Sequence, residues 1–347
     1  MAISSRGKKI EYQRRGDTPI LNLQFPQIEY TEKVERENQT IVVEFILLGF
    51  SEQPNLQGFL FGTFLVIYLS ILIRNGLIIV ITKIDPALQT PMYFFLENFS
   101  FLEICYTSVT LPRMLINIVT KNRNISFLAC AIQLGFLLIL GAPECLLLGV
   151  MAYDHYVAIC KPLYYPLIMN HKVCVQLVVG SWTIGIPFQI AQTYQIYSLP
   201  FYGSNQLNHI FCDLRSLLRI ACGDTFVNEM SVYAVAMLFG MVPFLLIVWS
   251  YVKIISTILK LPSTTGRYKA FSTCSSHVMV VGLFFGSIII TYLQPKSGNS
   301  EKNDKIFSLF YTVLTPMFNP LIYTLRNKDI IVALKKLLPK CESTKNN

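Results

Sequence analysis

Six ionisable side chains interrupt the long apolar stretches of this 347-residue sequence. An ionisable group at the centre of a membrane-spanning helix costs roughly 2.5–3.5 kcal/mol on insertion scales, so each one is a candidate functional residue. A carboxylate there can hold a proton or bind a cation, and a guanidinium group must find a carboxylate or reach the membrane surface. The six residues are Arg74, Glu97, Glu103, Arg113, Glu144 and Asp154.

Two of these carboxylates, Glu103 and Glu144, fall near the middle of separate apolar stretches. Asn75 and Asn319 lie at similar depths in two further stretches. Two carboxylates in a low-dielectric interior cannot both stay ionised unless a cation lies between them. The set therefore predicts a polar core that binds Na⁺ or holds a proton. The alternative is a structural network of hydrogen bonds.

No other pattern in the sequence indicates catalysis or metal binding. No Gly-rich phosphate loop with a Lys follows a strand pattern. We therefore expect neither an enzyme nor a bound metal, and no cofactor apart from Na⁺ in the polar core. The four histidines, which have no ligand spacing to one another, are His155, His171, His209 and His277.

The elements that hold these residues are predicted to be membrane helices. Hydrophobic residues make up 53% of the chain and charged residues 14%, whereas a soluble domain carries about a quarter charged residues. Apolar residues occupy all sides of each stretch instead of alternating as in a membrane β-barrel. The pattern predicts an all-α membrane protein, a seven-transmembrane helix bundle. The predicted spans are 59–81, 92–119, 127–159, 173–197, 230–252, 271–293 and 306–325.

Positive charge is distributed unevenly between the two sides of this bundle. In the short connections and the tail, Lys and Arg number 13 on the side that includes the tail and 7 on the other. The seven further Lys and Arg of residues 1–37 would erase this difference, but they lie more than twenty residues from the first span, and charges that far away contribute little to orientation. Cytoplasmic loops retain positive charge, so the tail is predicted to be cytoplasmic and the amino terminus extracellular. This accounts for the net charge of +9, and no nucleic acid is expected as a partner. The predicted organisation is an extracellular segment at 1–58, with 1–37 as a disordered extension, the bundle at 59–325 and a cytoplasmic tail at 326–347.

A short amphipathic helix is predicted after the last span. Ile331, Leu334 and Leu338 recur at helical spacing beside several lysines. This arrangement suits a helix that lies on an anionic membrane leaflet, so membrane lipid is an expected partner of the tail.

Three cysteines and one glycosylation sequon fall on the predicted extracellular side. Cys130, Cys212 and Cys222 would face an oxidising compartment. We expect one disulfide and one remaining thiol, and the residues alone leave the pairing open. Asn38 begins an Asn-Gln-Thr sequon and is the predicted glycosylation site.

Four sequence strings are specific enough to indicate a family. They are PMYFFL at 91–96, MAYDHYVAIC at 151–160, KAFSTCSSH at 269–277 and PMFNPLIY at 316–323. With seven predicted spans and an outer amino terminus, the chain resembles the rhodopsin-like G-protein-coupled receptors, and within these the olfactory receptor branch. The resemblance covers about residues 38–338.

The resemblance implies a plasma-membrane receptor that binds a small volatile odorant and activates a heterotrimeric G protein of the stimulatory, olfactory type. Binding is expected in the outer half of the bundle, and activation by outward movement of the sixth helix. The positions that the family uses for its ligand are mostly apolar in this chain, which suits small apolar ligands. They are Leu138, Gly141 and Ala142 on the third span and Ile288 and Tyr292 on the sixth.

The resemblance also assigns roles to other residues. It pairs Cys130 with Cys212. It matches Glu103, Glu144 and Asn319 to the polar core of the family. The residues that it assigns to G-protein coupling and to the inner switch are Asp154, His155, Tyr156, Asn319, Pro320 and Tyr323.

This chain departs from the family pattern at four positions. His155 replaces an Arg that contacts the G protein in the active state, and imidazole lacks the planar fork of donors. Arg74 replaces a small Gly, Tyr202 replaces a loop Cys and Pro143 replaces a hydroxyl residue. The departures motivate an alternative hypothesis, an expressed but signalling-deficient receptor relic. A channel or transporter is a third hypothesis, which only the buried carboxylates support.

Overall fold

The computed structural model describes residues 42–49, 56–120, 123–293, 305, 308–326 and 328–337. The predicted extension at 1–37 and the sequon at Asn38 lie outside these residues. The described residues form long helices, several short helical turns and three short strands.

Helices form the bundle, as the composition predicted, and we name them the first to seventh spans. The fourth, fifth and seventh spans each consist of more than one helical segment. A tail helix, Lys328–Leu337, follows the seventh span. The spans are Gln57–Ile84; Pro91–Val119; Phe127–Cys160; His171–Thr183 with Ile186–Tyr197; Phe226–Ala236 with the π-helical Met237–Met241 and Val242–Lys260; Thr264–Leu293; and the π-helical Phe310–Leu314 with Thr315–Arg326.

Short helical segments occupy some of the connections between the spans. Each is one or two turns long. These segments are Pro86–Leu88, Pro162–Tyr164, Tyr165–Ile168 and Leu214–Ile220.

The first span illustrates how the apolar sequence is divided between protein and lipid. Ile71, Asn75 and Ile78 are buried against the rest of the bundle. The opposite face carries exposed apolar residues at spacings of three or four, which is the periodicity of one helix face. Five helices in the described part of the chain are long and apolar enough to cross a membrane. The exposed residues of the first span include Val66, Leu69, Ile73, Leu77 and Val80.

A three-stranded sheet closes one end of the bundle, which we call the strand end. β1 (Glu44–Leu47) pairs antiparallel with β2 (Asn124–Ser126) and parallel with β3 (Gln206–Leu207). Phe45 and Leu47 are fully buried in an apolar cluster beneath the sheet. The sequence did not predict these strands. The opposite end carries the tail helix, and we call it the tail end.

The fifth and sixth spans are longer than their apolar stretches. The fifth continues from the predicted end at Val252 to Lys260, and the sixth begins at Thr264 instead of Phe271. The length of an apolar stretch reflects the thickness of the membrane, whereas the helix itself can continue into water beyond the membrane. Both extensions lie at the tail end, so two long helices project there.

The third span is the central helix of the bundle. It packs against the second, fourth, fifth and sixth spans. Its approach to the fourth span is close, because a Cβ built on Gly185 would lie 2.7 Å from the Cβ of Ala142. The absence of a side chain at Gly185 therefore sets the distance between these two spans. More candidate site residues lie on the third span than on any other span, and this packing holds them.

Candidate functional site

The polar core brings together Glu103 of the second span and Asn319 of the seventh. Both are buried, and the side-chain amide of Asn319 donates a hydrogen bond to Oε1 of Glu103. Glu144 of the third span is also buried and lies close enough to interact electrostatically with Glu103. Within the described residues, Oε2 of Glu103, Oε1 of Glu144 and Oδ1 of Asn319 are buried oxygens without a hydrogen-bond partner.

Asn75, the fourth predicted member of this core, is buried on the first span. Its side-chain amide donates to the backbone carbonyl of Ile71, one turn earlier in its own helix, at 3.1 Å. Tyr323 is a further neighbour, because its buried hydroxyl lies within electrostatic range of Glu103. Tyr323 therefore connects the polar core to the residues of the predicted inner switch.

The predicted ligand positions lie in the strand-end half of the third span and on the sixth. A Cβ added to Gly141 would meet no atom within 4 Å, so open space adjoins this glycine. Leu138 and Ile288 are partly buried beside the two apolar clusters of the bundle. Ala142 packs against Gly185 of the fourth span. The side chain of Tyr292 is outside the described part of the structure.

A disulfide fastens the long loop at the strand end to the third span. It joins Cys130 to Cys212, the pairing that the family resemblance implied. Gln133 strengthens this attachment, since its Oε1 accepts from the backbone N–H of Cys212 at 3.1 Å and its Nε2 donates to the carbonyl of Val109 at 3.0 Å. The sequence analysis missed Gln133, although it follows Cys130 by one helical turn, a spacing that puts both on the same face.

The thiol of Cys222 is free, as the cysteine count predicted. It lies 3.7 Å from the backbone carbonyl of Tyr202, the position at which the family resemblance implies a third loop cysteine. The two positions are therefore neighbours, as a cross-link between them would require.

Asp154 at the tail end pairs with a tyrosine of the following loop. The hydroxyl of Tyr165 donates to Oδ1 of Asp154 at 2.9 Å. Burial raises the pKa of Tyr165, and the negative charge of Asp154 raises it further. The Tyr165 hydroxyl therefore stays protonated and holds the carboxylate in place. Sequence reasoning did not select Tyr165.

His155, which follows Asp154, is buried and faces the sixth span. Its ring centroid lies 5.3 Å from that of His277, and the two rings are nearly perpendicular. Nδ1 of His277 is in turn 2.8 Å from the hydroxyl of Tyr251 on the fifth span. Tyr156 turns away from this contact and packs against Trp249, with ring centroids 5.1 Å apart.

The remaining ionisable residues of the spans have different surroundings. Glu97 forms an ion pair with Lys83 at 3.1 Å. Arg113 donates to the backbone carbonyl of Asn124 in β2. Arg74 is half-buried, and among the described residues no carboxylate lies within ion-pair distance of it. Pro143 is accommodated inside a continuous third span, and Pro320 lies inside the last segment of the seventh.

Comparisons with known proteins agree with this arrangement. The profile of the olfactory receptor family matches residues 64–341. Human (Homo sapiens) olfactory receptor 10AG1 is 63% identical over 298 residues, which cover 86% of this chain and 99% of that protein. Human olfactory receptor 10A7 is 50% identical over 302 residues, 87% of this chain and 96% of that protein. Squid rhodopsin shares the fold, with a TM-score of 0.66 at 17% identity over 82% of this chain and 80% of that chain.

The family match and the fold lead to the same assignment. The family profile extends from the first span to the tail, and the identity with the human receptors covers almost their entire length. The helices form the bundle that the family resemblance predicted, and the disulfide joins the two cysteines that it paired. The chain is a multi-pass membrane protein that belongs to the olfactory receptor family.

Proposed function

We propose that this protein is an odorant receptor, which binds a small, mostly apolar, volatile ligand within its bundle and activates a heterotrimeric G protein of the stimulatory, olfactory type. The observation that carries this proposal is the identity with human olfactory receptors along nearly their whole length. Neither the fold nor the comparisons favours the alternative of a signalling-deficient relic.

The ligand is proposed to bind beside Gly141, where a Cβ would meet open space. Leu138 and Ile288 supply apolar surface, Ala142 lies one residue along the same helix, and the family resemblance adds Tyr292, a residue type with one hydroxyl group. Pockets for small molecules combine apolar walls with a few polar groups, so this set suits a small apolar ligand with at most one hydrogen-bonding group.

Substitution of Gly141 tests this location. Gly141→Val should fill the open space and lower odorant potency at least tenfold, while the receptor still reaches the cell surface. Gly62→Val is the matched control, because a Cβ at the exposed Gly62 of the first span also meets no atom within 4 Å. Equal losses of potency in the two variants would contradict the proposed site.

The strand end is proposed to face the outside of the cell, with the receptor in the plasma membrane. The Cys130–Cys212 disulfide is at this end, and disulfides persist in oxidising compartments. The excess of Lys and Arg at the tail end supports the same orientation. An epitope at the amino terminus should stain in intact cells. Staining only after permeabilisation would mean that the orientation is the reverse of the proposed one or that the protein is not in the plasma membrane.

Coupling is tested with a cyclic AMP assay on cells in which surface receptor has been confirmed. A panel of odorants should contain at least one that raises cyclic AMP, and His155→Arg should strengthen the response because it restores the bidentate donor. Arg74→Gly should raise the amount of receptor at the surface, since it removes a guanidinium without a carboxylate partner among the described residues. If the natural receptor, His155→Arg and Arg74→Gly all reach the surface and none raises cyclic AMP, the result would favour the signalling-deficient relic.

The polar core is proposed to hold one proton or one Na⁺ between Glu103 and Glu144. Both carboxylates are buried, and the three unpartnered oxygens of the core can act as ligands for a hard cation. A Na⁺ there would offset the repulsion between the two carboxylates, and a shared proton would do the same. The fit rests on oxygen atoms that have no hydrogen-bond partner within the described part of the chain.

Sodium dependence separates these two occupants. If Na⁺ binds, replacing it with choline should lower the unfolding temperature of the natural receptor and leave that of Glu144→Gln unchanged. Glu97→Gln is the control, since Glu97 pairs with Lys83 at the edge of the bundle and should keep the sodium effect. If the unfolding temperature of the natural receptor is the same in Na⁺ and in choline, the occupant of the core is a proton.

A further inference from the structure

The contact between His155 and His277 is a second site whose chemistry the proposed function does not use. Position 155 carries Arg in the family, so the departure in this chain creates a pair of imidazoles between the third and sixth spans. The other two histidines lie elsewhere: His171 packs beside Phe94, and His209 packs beside Phe211.

The separation of the two rings fits a shared metal ion. Imidazole nitrogens bind zinc at about 2.0–2.1 Å in tetrahedral geometry, which places the centroids of two ligating rings about 5 Å apart. The centroids of His155 and His277 are 5.3 Å apart. The two rings therefore already have the spacing of two ligands on one ion.

His277 has one nitrogen occupied and one available. Nδ1 is 2.8 Å from the Tyr251 hydroxyl, and Nε2 is buried without a hydrogen bond of good geometry among the described residues, although the backbone carbonyl of Leu148 on the third span is near enough to interact with the ring. A histidine that binds metal usually has its other nitrogen hydrogen-bonded to a group that fixes the orientation of the ring. Tyr251 supplies that group, and a cation at Nε2 would bind an atom that lacks a hydrogen bond of good geometry in the part of the chain that the structure describes.

We propose that His155 and His277 form a two-histidine site for a divalent cation of the zinc type, which ties the third span to the sixth at the tail end. The described residues contain no cluster of three or more His, Cys, Asp or Glu side chains that could hold a metal, so water completes the coordination. The site is then weaker than a structural zinc centre, and it binds reversibly.

The proposed site opposes separation of the two spans. His155 is 5% exposed and His277 is fully buried, so the ion enters from the side of His155. Once bound, it adds a bridge between two helices that already meet here through the contact of the two rings and through the Leu148 backbone beside His277. Zinc should therefore stabilise the receptor and, where the receptor signals, hold it in the arrangement described here.

Thermal unfolding of the purified full-length receptor in lipid nanodiscs tests the site without any need for signalling. Micromolar free zinc should raise the unfolding temperature of the natural chain in a saturable way. His155→Arg and His277→Phe should each require at least tenfold more zinc, and His171→Gln, which alters an exposed histidine at the same end, should behave as the natural chain does. The proposal is overturned if zinc has no effect on the natural chain, or if either pair variant responds to the same zinc concentrations as the natural chain.

Copper spectroscopy gives a second measurement in case His277→Phe does not fold. The natural chain and His155→Arg are each loaded with one Cu²⁺, and their electron paramagnetic resonance spectra are subtracted to isolate the copper bound at the histidine pair. The difference spectrum should show two coordinated nitrogens. A difference spectrum with one nitrogen or none overturns the shared site.

The consequence for signalling is tested separately, and this step alone depends on the proposed receptor function. In membranes open to the tail side, zinc should lower odorant-stimulated nucleotide exchange in the natural chain and spare His155→Arg. If zinc binds but exchange is unaffected, the bridge does not restrain the sixth span and that part of the proposal fails.

Discussion

The two ends of the bundle are held together by different kinds of interaction. At the strand end a disulfide, a three-stranded sheet and the Gln133 hydrogen bonds attach the loops to the helices. At the tail end the third, fifth and sixth spans meet through the His155–His277 ring contact and the Tyr251–His277 hydrogen bond. The strand end is fastened by a covalent bond and by hydrogen bonds that involve the backbone, whereas these contacts at the tail end join one side chain to another.

This difference shows how one bundle can keep a fixed ligand site and a movable end. The energy of single side-chain contacts is small, so helices joined in this way can separate when a ligand or partner favours it. A loop held by a disulfide cannot move in the same way. The comparison predicts that substitutions at the strand end reduce stability more than substitutions of similar size at the tail end.

Loss of the disulfide should have the largest effect. Cys130→Ser should destabilise the receptor by about 2–5 kcal/mol and remove most of it from the cell surface, because it releases the loop that covers the bundle. Thermal unfolding and surface staining measure the two effects. Cys222→Ser changes a free thiol of the same loop and should be nearly neutral; if both variants fail equally, the disulfide is not what fastens this end.

A side chain added where the third and fourth spans approach closely should have the next largest effect. Gly185→Ala places a Cβ 2.7 Å from that of Ala142, and overpacking of this kind costs about 1–3 kcal/mol. Gly141→Ala adds the same methyl group to open space and should change stability by less than about 0.5 kcal/mol. Thermal unfolding of the pair checks the prediction, and a Gly185→Ala variant as stable as Gly141→Ala would refute the close approach.

Removal of one tail-end hydrogen bond should have a smaller effect on stability. Tyr251→Phe leaves the aromatic ring and removes the hydroxyl at Nδ1 of His277, at a cost of about 1 kcal/mol. Ligand-independent cyclic AMP should rise, because the fifth and sixth spans lose a bond that joins them. Tyr233→Phe is the control, because it removes the hydroxyl of an exposed tyrosine on the same span, and matched basal signals in the two variants would argue against a restraint at His277.

The smallest effect should appear at low pH where the tail helix meets the first connection. Nζ of Lys336 lies 2.9 Å from Oδ2 of Asp85, and this hydrogen bond, followed by one from the Ala87 backbone, lowers the pKa of Asp85 below its ordinary value of 3.8. A carboxyl whose pKa is lowered by folding stabilises the fold above its ordinary pKa and loses that effect as the pH falls below it.

A spin label on the exposed Val332 of the tail helix therefore should become more mobile below about pH 4 in the natural receptor. Lys336→Ala should show much of this mobility already at neutral pH. A label whose mobility is the same at both pH values in both chains would show that the ion pair does not hold the tail helix.

The sequence predicted the bundle because apolar length is a local property that can be read along each span. It did not predict the continuation of the fifth span to Lys260, since residues beyond the membrane follow no apolar rule. It also missed the strands, because segments of two to four residues such as Gln206–Leu207 carry no period of their own. Their pairing depends on partners far away in the chain.

The candidate site was predictable to a different degree in each of its parts. Glu103 and Asn319 stood out because polar groups in apolar helices are rare. Their predicted depths in the membrane are similar, which is consistent with the hydrogen bond between them. The contact of His155 with His277 was not predictable, since spacing along the chain says nothing about two residues on different helices. The Cys130–Cys212 pairing required the family resemblance, because the residues alone allowed other pairs.

The position of β1 in the sheet has a consequence for the order in which the chain can fold. One edge of β1 pairs with β2, and the other edge pairs with β3 at Gln206–Leu207, which is synthesised much later. At about 5–20 residues per second, a ribosome needs about 10–30 s to proceed from the first strand to the third. Throughout that interval the buried face of Phe45 and Leu47 is uncovered and one strand edge is open, which is a condition for mispairing. The yield of folded receptor is therefore set in part by how well this short strand is protected while the rest of the chain is made.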